Sequence, residues 1–266
     1  MSKYPPNQEL PPLGALCLDY TEDIHRPPGD PLNPDSFEFP LVHAFVKDAT
    51  VTNVVFSGVY DDEFIAKFVE GCNELERKGA IGVITSCGFL AQLQSRISGL
   101  INIPIASSSL LQIPSVMALL PPQKKLAILT FDKDNLGKAQ FDGVGIPEEY
   151  QKRLVVYGAK AGKPLKNIII EGSGYVAEDF EAEMVELAQE ALADTPSVGA
   201  FVLECTQMPP TAKAIQKATG LPVYNVVTMI DWFYSGLVPK TFPEDPNKEE
   251  GYKTKKRSAK EKGPGN

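Results

Sequence analysis

The sequence predicts an α/β protein of two similar lobes, each a mainly parallel sheet flanked by helices. Three observations carry that expectation. Short Val-, Ile- and Leu-rich runs alternate with helical patterns along the chain, as in folds whose parallel strands are buried on both faces. The segment GAIGVITSCGFLAQLQSRISGLINIPIAS around Cys87 resembles the later VGAFVLECTQMPPTAKAIQKATGLPVYNV around Cys205. The two also agree in register: Pro104 lies 17 residues after Cys87, and Pro222 lies 17 after Cys205.

Candidate strands, in order, are Leu13 to Leu18, Val51 to Phe56, Ile81 to Thr85, Ile103 to Ala106, Lys125 to Thr130, Asn167 to Glu171, Val198 to Glu204 and Pro222 to Val226. A helix after Asp61 places Phe64, Phe68, Cys72 and Leu75 on one face, with acidic residues at its start and Gly79 after its end. A second, from Ala177 to Ala193, carries Phe180, Met184, Leu187, Ala188 and Ala191 as an apolar stripe. Residues 26–40 hold five prolines, the composition of an ordered but irregular loop of functional length. Pro121-Pro122 marks a crossover between lobes. The expected organisation is an N-terminal extension over 1–12, a first lobe over 13–118 plus 213–243, a second over 119–212, and a disordered charged tail over 244–266.

Composition narrows the partners. With 266 residues, 43% hydrophobic and 23% charged, the chain can bury a substantial core. Its formal net charge of -8 argues against nucleic acid, whose phosphates need a basic surface. From Lys248 onward seven basic residues face three acidic ones, so this tail is +4 and the remainder -12. Such a segment has too little apolar surface to fold. No run approaches the roughly 20 apolar residues of a membrane span, and no secretory leader is visible. Four cysteines without a leader do not read as a disulfide framework, and two histidines far from them do not suggest zinc. A cytoplasmic protein with no metal follows as the expectation.

The chemistry is expected at Cys87 and Cys205. Each ends a strand just before a helix, at the edge where open α/β sheets bind ligands. A thiol there faces the positive end of the helix dipole and unpaired N–H groups, which favour thiolate. The same N–H groups can hold a carboxylate and stabilise charge arriving from its α-carbon. Cys72, on an apolar helical stripe, and Cys17, inside a strand, read as core residues. Asp19 ends the first strand, where it orients a cysteine or caps a turn. Arg26 is placed either to clamp a second substrate carboxylate or at the surface. Ser107 and its two following serines end the strand after Pro104, where hydroxyls bind substrate or cap a helix.

At Leu203-Glu204-Cys205-Thr206 and at Ile84 to Gly88 the chain resembles the aspartate/glutamate racemase superfamily, which also contains hydantoin racemases, maleate isomerases and arylmalonate decarboxylases. The resemblance covers roughly residues 13 to 240. It implies two pseudo-symmetric lobes with the active site in the cleft between them and activity without a cofactor. It also implies carboxylate contacts from Ser86, Gly88 and Thr206. Two positions depart from the pattern. Gln207 stands where many amino-acid racemases carry an acid or histidine, and can hydrogen-bond substrate but not move a proton. Cys87-Gly88 replaces the Cys-Asn-Thr of glutamate racemases.

The expected activity is therefore racemisation or epimerisation of a small carboxylate such as aspartate, glutamate or a hydantoin, with Cys87 and Cys205 as an acid/base pair. Decarboxylation of a malonate and cis-trans isomerisation of an unsaturated diacid are alternatives on the same scaffold. A non-catalytic binding protein for small carboxylates is the alternative of another class. The expected partner is a small-molecule carboxylate, with neither nucleic acid nor membrane, and a homo-oligomer is left open.

Overall fold

Leu13–Leu18 is buried at all six positions and forms β1, an inner strand of the first of two sheets. The computed structural model describes residues 2–19 and 24–244. Within them Glu9–Pro239 form one compact unit, and residues 2–8 with 240–244 belong to a second, small one. In that small unit the N–H and hydroxyl of Thr241 both donate to Gln8 Oε1. The charged tail expected over 244–266 lies outside the described residues beyond Glu244.

The first lobe runs β1, β2 (Leu41–Val46), α1 (Val51–Val54), α2 (Asp62–Arg77), β3 (Val83–Thr85), α3 (Gln94–Ser98), β4 (Ile105–Ala106) and α4 (Ile113–Leu119). The second runs β5 (Lys125–Thr130), α5 (Lys138–Gly143), α6 (Glu148–Gln151), β6 (Leu154–Gly158), α7 (Pro164–Glu171), α8 (Ala177–Asp194), β7 (Val198–Leu203), α9 (Ala212–Thr219) and β8 (Val223–Tyr224). A last helix, α10 (Val226–Leu237), follows. The sheets have strand orders β2-β1-β3-β4 and β6-β5-β7-β8, and every pairing is parallel. The expected two-lobed α/β architecture is the observed one, and the repeated units are the β3–β4 and β7–β8 halves of the two sheets.

Two expected strands are helices, and two edge strands take their place. Val51–Val54 turns helical because Thr50 caps it, its hydroxyl accepting from Asn53 N–H. Asn167 to Glu171 lies in α7 because Pro164 opens that helix and Gly172, at φ +62°, closes it in the left-handed conformation. The strands that sequence reading passed over are β2 and β6, at equivalent edges of the two sheets. The lobe boundary also moves. β8 pairs with β7, so α9 and β8 complete the second sheet, and the return to the first lobe begins only at α10. There Phe233 and Leu237 pack so closely on Gly82 that a Cβ at that glycine would collide with them.

The period-2 alternation of β5 and β7 divides the core. Leu126, Ile128, Ala200 and Val202 join the first-lobe core, whereas Ala127, Leu129, Phe201 and Leu203 pack with Phe180, Met184 and Ala188 of α8. The two sheets are thereby held together, with the ends of β3 and β7 brought to one cavity.

Candidate active site

β3 and β7 deliver Cys87 and Cys205, each 8% exposed, to the wall of one cavity. Its empty volume is about 390 Å³, mouth included. The polar part of the wall comes from Arg26, Ser86, Gly88, Glu204, Thr206 and Gln207; Ile24, Val51, Val55, Phe89, Phe131 and Ile169 supply an apolar part. The repeated loops interlock here: Thr206 Oγ1 donates to Ser86 O at 2.8 Å, and Ser86 Oγ accepts from Leu18 N–H at 3.2 Å. Among the described residues, the N–H groups of Gly88 and Thr206 have no protein acceptor, so both are open to an anion.

Gln207 and Arg26 meet on a residue that sequence reading missed. Asp30, fully buried in the Pro-rich loop, accepts from Gln207 Nε2 at 2.6 Å, Arg26 Nη1 at 3.0 Å and Leu32 N–H at 2.8 Å. Burial raises its carboxyl above the usual range although the Arg26 charge opposes the rise. Arg26 is thus held at the cavity wall by an internal carboxylate. The loop packs on the second lobe through Gly29, at φ +102° and against Pro210.

Two expected binding residues lie elsewhere. Asp19 is exposed and outside the cavity wall; its Oδ2 accepts from Asp48 N–H at 2.9 Å, so it fixes the turn after β2. Ser107 is buried behind the wall, with its N–H on Gln94 Oε1 and its carbonyl taken by Thr85 Oγ1. Cys17 and Cys72 are core residues, and burial pushes the Cys72 thiol up to about 12.

The helix-dipole argument for thiolate does not hold as expected. Cys87 caps a 3-10 turn, Gly88–Leu93, and Cys205 is followed by a turn and the 3-10 segment Pro209–Thr211 before α9 begins. Burial drives the Cys205 thiol well above its ordinary range, and the neighbouring Glu204 charge adds to this, while the Gln207 N–H bond to its sulfur opposes it. Glu204 itself was quoted in the motif without a role. It is buried, with Oε2 accepting from Thr130 Oγ1 at 2.7 Å, and burial pushes its carboxyl up to about 7.

Comparison with known proteins defines both fold and family. Arylmalonate decarboxylase superimposes with a TM-score of 0.53 at 15% identity, covering 89% of this chain and 96% of that one. Allantoin racemase from Pseudomonas fluorescens gives 0.53 at 14% identity, covering 88% and 99%. An aspartate racemase homologue from Pyrococcus horikoshii gives 0.54 at 14%, covering 86% and 99%. The fold is that of the aspartate/glutamate racemase superfamily, as the two cysteine motifs implied. No family model matches the chain. In sequence, dimethylsulfoniopropionate lyase of Durusdinium sp. clade D is 30% identical over 239 residues, 88% of this chain and 77% of that protein. The chain belongs to the dimethylsulfoniopropionate lyase family. Dimethylsulfoniopropionate lyase 7 of Emiliania huxleyi is 28% identical over 238 residues, 86% of this chain and 68% of its own length. Membership of the dimethylsulfoniopropionate lyase family overturns the expected racemase or other isomerase activity, since these relatives are named as lyases. Among the described residues, no helix is long and apolar enough to cross a membrane.

Proposed function

We propose that the chain is a lyase that releases dimethyl sulfide and acrylate from dimethylsulfoniopropionate. The reading is carried by the 30% identity to the Durusdinium lyase across 77% of that protein. In such a substrate the sulfonium sits β to the carboxylate, and the hydrogens between them are acidified by both. A base takes one of these hydrogens from the carbon next to the carboxylate, its C–H electrons form the C=C bond, and the C–S pair leaves on sulfur, which becomes neutral. Elimination needs one base on one face, whereas inversion needs two groups on opposite faces.

The cavity provides for these steps. Cys205 is the base in this reading; the Gln207 N–H beside its sulfur partly opposes the rise that burial imposes on the thiol. The N–H groups of Gly88 and Thr206 receive the substrate carboxylate and the charge that spreads onto it in the transition state. Val51, Val55, Phe89 and Ile169 form the apolar wall against which the methylated sulfonium packs. Cys87 borders the substrate from the first lobe.

The test is release of dimethyl sulfide, followed by gas chromatography, together with acrylate by proton NMR. Equal amounts of the two products from the full chain are expected. Release no faster than in buffer between about pH 6 and 9 overturns the reading.

A further inference from the structure

Gln207 lines the cavity and is only 5% exposed, yet the protein uses just one end of its amide. Nε2 donates to Asp30 Oδ2 at 2.6 Å. Oε1 accepts no hydrogen bond among the described residues and, unlike Oε1 of Glu204, is not sealed in. Asp30 dictates this orientation. Its buried carboxylate accepts every hydrogen bond it makes, from Arg26 Nη1, Leu32 N–H and Gln207 Nε2. An amide that meets such a group must present its NH2 end, which turns the carbonyl end to the cavity. The backbone N–H of Gln207 lies beside the Cys205 sulfur, so the residue is fixed at both ends and its carbonyl stands within one side chain's reach of the base.

A carbonyl oxygen held in this way is a seat for positive charge. The charge of Arg26 in the same corner is already met by Asp30 at 3.0 Å. Glu204, the carboxylate of the wall, is no substitute: Oε2 accepts from Thr130 Oγ1, and the buried Oε1 lies where a Cβ on Gly88 would collide with it. A neutral acceptor also suits a substrate that brings its own carboxylate, which a second anion would repel. A sulfonium has no N–H or O–H. It presents its charge on the C–H groups of the carbons attached to sulfur, and a carbonyl oxygen can approach these closely. Its sulfur lies two bonds from the carbon that loses the hydrogen, the same neighbourhood in which Gln207 stands relative to the base.

Resting on the lyase reading, we propose that Gln207 Oε1 is the acceptor that holds the sulfonium group, and that Asp30 is its positioning residue, fixing which end of the amide faces the substrate. The contact is strongest while the sulfur is charged and fades as the C–S pair makes it neutral. It therefore selects and holds a cationic substrate without lowering the barrier, and it loosens when dimethyl sulfide has formed.

The experiment uses two carboxylates of the same shape, 3-(trimethylammonio)propanoate and 4,4-dimethylpentanoate, which differ by the charge on a single atom. Their binding to the full chain, to Gln207→Met and to Asp30→Asn is measured by titration calorimetry, beside KM and kcat for dimethylsulfoniopropionate. Wild type is expected to bind the cation about tenfold more tightly than the neutral acid, the scale of one polar contact to a charged group. Gln207→Met should bring that ratio to about 1 and raise KM about tenfold with kcat within about threefold, the pattern of lost ground-state binding. Asp30→Asn leaves Gln207 in place, but its own amide can donate, so Gln207 can turn and the ratio should fall as well. A merely structural role would weaken both probes alike. Gln207→Met with the wild-type ratio overturns the proposal, as does a wild type that binds the two acids equally or binds neither. A ratio that changes as stated, in a protein that releases no dimethyl sulfide, supports the cation seat and removes only the lyase reading. If Gln207→Met does not fold, Gln207→Asn keeps an amide one carbon too short to stay on Asp30 in the same place; an unchanged ratio there overturns the proposal.

Discussion

The hydroxyl of Thr206 donates to the carbonyl of Ser86 at 2.8 Å, tying the residue after one cysteine to the residue before the other. The bond joins residues 120 apart in sequence and is buried. It fixes the relation of the two repeated loops, and with it the position of the Cys205 sulfur relative to the Gly88 and Thr206 N–H groups. Thr206→Val keeps the shape but leaves Ser86 O unpaired. A stability loss of about 1–3 kcal/mol is expected, with kcat falling more than KM rises. Urea unfolding and steady-state kinetics measure both, and a valine variant with wild-type stability and turnover would show that the tie is dispensable.

The two cysteines should respond unequally to mutation. Elimination needs one base, so Cys205→Ser should cost at least about 10²-fold in kcat. Cys87→Ser should cost less and retain measurable dimethyl sulfide release. Equal, complete loss in both would argue against the assignment of roles.

Gly88 has no room for a side chain. Its φ is not the issue: an added Cβ would run into the Glu204 backbone and carboxyl, and the backbone cannot swing away as a flexible side-chain end can. Gly88→Ala is expected to lower stability by about 1–3 kcal/mol, the usual cost of overpacking, and to abolish turnover. Near-normal thermal unfolding with near-normal turnover would contradict the packing described.

Glu204 also predicts how stability depends on pH. Its folded carboxyl, at about 7, is raised above the ordinary 4.5, so the folded state binds its proton more tightly than the unfolded state does. That contribution is fully present below about pH 4.5 and is lost as pH rises through 7. Glu204→Gln, neutral throughout, should match wild type near pH 4.5. At pH 8 it should be more stable, by an amount on the order of 3 kcal/mol at roughly 1.4 kcal/mol per unit. Denaturant unfolding at the two pH values checks the sign; a glutamine variant less stable than wild type at pH 8 would contradict it.

Cys72→Ala tests the division between core and site. The thiol is buried on α2 and pushed up to about 12. The variant should lose roughly 1–2 kcal/mol from the vacated space and keep wild-type kcat. A large loss of turnover without unfolding would place this residue in the chemistry.

Inner strands were legible in the sequence because they are continuous apolar runs: β1, β5 and β7 fall where Leu13 to Leu18, Lys125 to Thr130 and Val198 to Glu204 were expected. Of the edge strands, β4 and β8 fall within expected runs, but β2 and β6 were not legible. β2 and β6 are only partly buried and lack a clean alternation, whereas the neighbouring Ile168-Ile169-Ile170 looks more strand-like than either. The deciding cues there were terminal, Pro164 before and Gly172 after. At the site, the internal repeat singled out both cysteines and the racemase resemblance pointed to Ser86, Gly88, Thr206 and Gln207, all on the cavity wall. Asp30 was hidden because its partner Gln207 lies 177 residues away. Asp19 and Ser107 occupy the expected strand ends, but a strand end does not determine which way a side chain is turned. The reaction was out of reach for a different reason. A thiol that removes a hydrogen beside a carboxylate serves inversion and elimination alike, and what separates them is a leaving group carried by the substrate.

The division of the β5 and β7 side chains has a consequence for how the chain comes apart. Leu126, Ile128, Ala200 and Val202 are lodged in the first-lobe core. Cutting the Pro121-Pro122 crossover and separating the halves would expose that face to water, together with the first-lobe residues that cover it. Neither half is therefore a self-sufficient folding unit, despite each owning a complete four-stranded sheet. Residues 9–239 should melt in one cooperative step, and the cavity lined by both cysteines can exist only while both sheets are folded.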